Sequence, residues 1–140
     1  MHPRTEIRAR FLALINSISA FNTNVFESRV YPIAADKLPV ALVYTSTETN
    51  TPLGYDYTQE LTREITLNIE ILSNGGDLEI DGLCEQVETV ISNDDWLHQE
   101  PISCYLANTN IELSGSGEKA RVTATLRYQI TLLSNENPNN

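Results

Sequence analysis

The residues able to do chemistry are few, and their densest group is Asp94, Asp95 and His98 in the stretch NDDWLHQE. Two carboxylates and an imidazole could hold a metal ion or share a proton. A metal site needs three or four converging ligands, however. Successive side chains of an extended chain point apart, and no second ligand cluster is visible. The other histidine, His2, sits in a terminus expected to fray. Cys84 and Cys104 lack C-x-x-C spacing and lie in apolar-periodic segments, so both read as small buried hydrophobes in a reducing compartment; a disulfide between them stays open. Ser114-Gly115-Ser116-Gly117 is turn chemistry, and Trp96 reads as a lid over the core. The chain has no phosphate-cradling loop, no G-x-S-x-G and no H-E-x-x-H. It is expected to be a non-enzyme with no catalytic residue, cofactor or metal.

The elements that would position these residues are organised around 58–72, TQELTREITLNIEIL. Leu61, Ile65, Leu67, Ile69 and Ile71 share one parity, and Glu60, Thr62, Glu64, Thr66, Asn68 and Glu70 the other, which predicts a long strand with one packed face. Only Arg63 breaks the pattern. Residues 120–132 repeat the device, with Ala120, Val122, Ala124, Leu126, Tyr128, Ile130 and Leu132 inward and Arg121, Thr123, Thr125, Arg127, Gln129 and Thr131 outward.

Before these strands, Ile7, Phe11, Leu14, Ile15 and Ile18 recur at helical spacing over 5–19, with Arg4, Glu6, Arg8, Arg10 and Asn16 on the other side. Residues 25–31 read as a short extended piece. Residues 38–44, LPVALVY, are apolar on both parities, as in a strand covered on both sides or packed by a helix and by another subunit. Residues 46–57 have no periodicity and predict a long connection, either a disordered hairpin tip or a partner-contact loop anchored by Tyr55 and Tyr57.

A second amphipathic helix runs over 78–91, with Asp77 as its cap and Ile80, Leu83, Cys84, Val87, Val90 and Ile91 on its buried face. Residues 92–100 are irregular. Tyr105, Ala107, Thr109, Ile111 and Leu113 share a face in a strand that turns at 114–117 into the last one. The expected fold is α+β: two layers, a mainly antiparallel sheet with two amphipathic helices packed on one face. A single domain over 1–133 is expected, with 134–140 a disordered tail. The polar sheet face would set Glu60, Glu64 and Glu70 against Arg121 and Arg127, either as a solvated face or as an intersubunit surface.

Nineteen acidic against nine basic side chains leave a formal charge of −10, which repels nucleic-acid phosphates and excludes a phosphate-gripping binder. The charged N-terminus carries no apolar signal core, and no apolar run approaches the ~20 residues of a spanning helix, so a soluble cytoplasmic protein is expected.

In this order the pattern resembles the tail terminator proteins of long-tailed bacteriophages, the minor tail protein U type. The resemblance is carried by Thr5-Glu6-Ile7-Arg8-Ala9, Val25-Phe26-Glu27-Ser28-Arg29-Val30, and the proline-led Leu38-Pro39-Val40-Ala41-Leu42-Val43-Tyr44-Thr45. It continues in Arg63-Glu64-Ile65-Thr66-Leu67-Asn68-Ile69-Glu70, in the helix opened by Asp77, and in Thr123-Ala124-Thr125-Leu126-Arg127-Tyr128-Gln129-Ile130. It implies a virion protein assembled in the host cytoplasm. A homohexameric ring would cap the tail tube, stop its polymerisation and provide the head-joining surface. Its partners would be further copies of itself, the tail tube protein and the head-tail connector, with DNA passing through the lumen unbound. Tyr55, Asp56, Tyr57, Glu64, Arg121 and Arg127 are the expected partner contacts. Another connector or virion assembly protein, or a monomeric protein-binding module, are the alternative readings.

Overall fold

The computed structural model describes residues 1–27, 38–54, 60–114 and 121–135. Five strands form one sheet in the order β1-β2-β3-β5-β4: β1 (Val25–Phe26), β2 (Val40–Pro52), β3 (Glu60–Ser73), β4 (Ser103–Ser114) and β5 (Arg121–Asn135). The β1–β2 pair is parallel and the other three pairs are antiparallel. Two helices, α1 (Pro3–Asn16) and α2 (Asp77–Ser92), cover one face, α1 over β2 and α2 over β3 and β5. The fold is therefore the two-layer α+β arrangement expected of two long one-sided strands.

The alternation in β3 and β5 sorts side chains as a pleated strand must. Ile65, Leu67, Ile69 and Ile71 are fully buried against the helices, in register with Ile130, Tyr128, Leu126 and Ala124. From the helix layer, Ile7, Phe11 and Ile15 of α1 and Ile80, Leu83, Val87 and Ile91 of α2 fill the same core, and Phe11 meets Tyr128 edge-on at 5.4 Å. Val40 to Val43 are buried on both parities, as their composition requires.

Several boundaries differ from expectation. The unperiodic stretch from residue 46 is strand as far as Pro52, because β2 runs on beyond the helices. There its side chains need no apolar face, and its β-branched threonines suit a solvated ladder. Only 53–59 connect β2 to β3, and 55–59 lie outside the described residues. Of the extended piece at 25–31, Val25 and Phe26 form β1, while 28–31 also lie outside. Gly76, with φ 86°, takes the cap position of α2, so Asp77 stands in the first turn beside Glu79, near the positive end of the helix dipole. In β4 the register shifts between Leu106 and Asn108, so Tyr105 does not share a face with Ile111 and Leu113. Ser134 and Asn135 pair with Leu61 and Glu60 and belong to β5 rather than to a tail; 136–140 lie outside the described residues.

Candidate interaction surfaces

Arg63 breaks the alternation of β3 without breaking the strand, because β2 supplies its partner. A register shift between Thr45 and Thr47 makes Ser46 an extra residue and reverses the faces of the residues beyond it. Ala41, Val43 and Thr45 look toward the helices before the bulge, and Glu48 and Asn50 after it. Arg63, 4% exposed, donates through Nη1 to Glu48 Oε2 at 2.8 Å and through Nη2 to the Asn135 carbonyl at 2.8 Å. Arg4 of α1 donates to the other Glu48 oxygen at 2.7 Å. Burial works to raise the Glu48 pKa, but hydrogen bonds from Arg4 and Asn50 and the charges of Arg4 and Arg63 outweigh it and hold the carboxyl below its ordinary value. Asn68, also buried, donates to the bulge residue Ser46 at 2.9 Å.

The Asp94, Asp95, His98 group is a structural junction. Asp94 is buried and ion-paired with Arg10 of α1. Its Oδ2 also accepts from the Leu97 amide at 3.1 Å, which closes the short 3-10 turn Trp96–His98. The Arg10 hydrogen bond keeps the Asp94 pKa below its ordinary value, against the opposing effect of burial. Arg10 also lies over the Trp96 ring at 5.8 Å. His98 Nδ1 is engaged with the Asp94 carbonyl, and no cluster of three potential ligands exists among the described residues. His2 does not fray: its Nδ1 accepts from the Arg4 amide at 3.0 Å and caps α1. With Arg8 donating to Glu27 and Thr45, three arginines read as solvent-facing instead fasten α1 to the sheet and to the turn after α2.

The outer sheet face carries the expected contact residues, but spread apart. Glu64 lies opposite Thr131, Glu70 opposite Thr125, Arg127 opposite Asn68 and Asn108, and Arg121 opposite Ser114. Glu64 and Arg127 are therefore four residues out of register, about 13 Å along the strands. Both are exposed, and neither has an ion-pair partner among the described residues. Only Glu70 is diagonal to Arg127, and it also accepts from the Tyr44 hydroxyl at 3.1 Å. Among the described residues no ladder of cross-strand ion pairs is formed on this face; a cross-strand contact there is Thr66 with Gln129 at 3.1 Å. Tyr55, Asp56 and Tyr57 lie outside the described residues.

On the helix side a groove of about 620 Å³ runs between α2 and β4, lined by Cys84, Cys104, Leu106, Ile111 and Tyr128, with Asp81, Glu85 and Glu88 along the helix. Both cysteines are free thiols. Burial, reinforced by nearby carboxylates, pushes Cys84 up to about 11 and Cys104 up to about 12. Both therefore rest as protonated thiols at neutral pH.

No family model matches the chain, and no curated protein matches it. Function therefore rests on the geometry of these surfaces and on the sequence pattern. No helix among the described residues is long and apolar enough to cross a membrane. Two features escaped sequence reasoning. The signal for the Arg63 network was present as the single out-of-parity charge in β3; Glu48 gave none, since the bulge that turns it inward has no distinctive composition. The groove was hidden because the shared face of Ile111 and Leu113 carries no sign in the sequence that α2 leaves it uncovered.

Proposed function

We propose that the chain is a tail terminator of a long-tailed bacteriophage: copies of it close into a hexameric ring that caps the tail tube, ends its growth and offers the head-joining surface. The observation that carries this reading is the outer sheet face. β2, β3 and β5, of 13, 14 and 15 residues, present there a broad surface of threonines and amides that no helix among the described residues covers. On it Glu64 and Arg127, without an ion-pair partner among the described residues, are held too far apart to satisfy each other and can meet opposite charges on a neighbouring subunit. Heterologous contacts that close generate a ring. A chain of net charge −10 lining a channel keeps DNA from adhering to the wall. The expected contributions of Tyr55, Asp56, Tyr57 and Arg121 belong to the same proposal.

Light scattering over a concentration series, with and without purified tail tubes, tests it. Species heavier than the monomer are expected, receding as salt rises. Arg127→Glu should prevent them, and Glu64→Arg combined with Arg127→Glu should restore them. A protein that stays monomeric at every concentration, tubes included, contradicts the reading.

A further inference from the structure

The two edges of the sheet differ. β1, at one edge, is two residues long, whereas β4, at the other, has twelve and among the described residues is paired by β5 alone. Exposed edges are commonly blunted by lysine, proline or inward charge, since unpaired N–H and C=O groups invite another strand. From 105 to 114, β4 has no lysine or proline and one charged residue, Glu112. Register with Ala124 and Val122 puts Ile111 and Leu113 on the helix-covered side, yet they are 49% and 71% exposed, because α2 lies mainly over β3 and β5. The groove beside them has an apolar floor and an acidic rim of Asp81, Glu85 and Glu88; His98 also lines it, and no lysine or arginine among the described residues does.

We propose that the β4 edge accepts an extended, basic segment of a partner protein as a sixth strand. Main-chain hydrogen bonds to β4 supply affinity, and alternate side chains supply specificity. Residues of one parity enter the groove, where lysine or arginine lays its methylenes along Ile111 and Leu113 and brings its charge to Asp81 and Glu85. Residues of the other parity lie beside Asn108, Asn110 and Glu112 and are polar. A rim of three carboxylates on a chain of net charge −10 selects a basic partner over a second copy. Strand addition requires no ring, so the inference stands apart from the terminator reading.

The test uses two peptides of about ten residues, both with threonine at alternate positions. The remaining positions are lysine and valine in one, glutamate and valine in the other. Each is titrated into the full chain while amide exchange is followed. The lysine peptide should protect the amides of residues 108–114, less so as salt rises, and the glutamate peptide should not. Ile111→Ser with Leu113→Ser should weaken binding about tenfold, and Asp81→Lys with Glu85→Lys should reverse the preference between peptides; all four positions are exposed, and circular dichroism checks the fold. Equal binding of the two peptides, absence of protection in β4, or protection of β4 in a peptide-free oligomer, which would give the edge to a second copy, each overturns the proposal.

Discussion

Glu48 accepts from Arg4 on one oxygen and from Arg63 on the other, and Arg63 is buried, so the three side chains behave as one unit. Glu48→Gln should cost about 3 kcal/mol in urea unfolding, because it leaves a buried guanidinium without its carboxylate. Replacing both buried members, Glu48→Leu with Arg63→Met, should recover most of that loss, since an apolar pair of similar volume carries no desolvation penalty. Acid should act through the same residues. His2, lowered first by burial and then by the charge of Arg4, and Glu48 and Asp94 all have depressed folded pKa values. Each therefore contributes stability that is present above its unfolded value and lost as pH falls through its folded one. The loss should begin below the ordinary His value of 6.5 and steepen below the carboxylate values of 4.5 and 3.8. Glu48→Gln and Asp94→Asn variants should each show a shallower acid limb, measured as unfolding free energy against pH. Cys84 and Cys104 should react with a soluble disulfide reagent on the order of a hundredfold more slowly in the native chain than in urea, at pH 8. At this scale the sequence was legible where one charge interrupted an apolar parity, as at Arg63, and illegible where a partner came from a bulge.

The strands state their faces clearly because pleating is strictly alternate, and β3 offers the cleanest check. Ile69→Asp should remove more than about 4 kcal/mol and leave the chain unfolded, as it buries a carboxylate among Leu126, Val43 and the helices. Thr66→Asp, on the outer face beside Gln129, should fold with a change within about 1 kcal/mol. Circular dichroism and urea titration of the two variants decide the assignment; equal stabilities would contradict it. Helices, long strands and layer order followed from periodicity because burial on one face imposes it. The second half of β2 did not, since past the bulge Glu48 alone is half-buried and the residues around it are exposed, so burial imposes no period. The change of face within β4 was equally hidden, because a bulge shifts the pleat by one residue without leaving a mark in composition. The partner of Arg4 lies 44 residues away, those of Arg8 19 and 37, and that of Arg10 84, beyond what helical periodicity can register.

For the whole molecule, the two-layer arrangement leaves one sheet face and one long strand edge uncovered among the described residues, and these are the surfaces on which the proposed interactions would act. Of the contact residues named from the sequence, Glu64, Arg121 and Arg127 share the outer face without touching. The pattern showed their face but not their spacing, because register is set by pairing. Ring closure at that face and termination of a tube are the central claim, and tube length measures it most directly. Purified tail tube protein polymerised with and without this chain, and imaged by negative stain, should give short tubes bearing an extra ring of density at one end when the chain is present, and no further growth when fresh subunits are added. Tubes of equal length in both samples, with bare ends that continue to grow, would contradict the account.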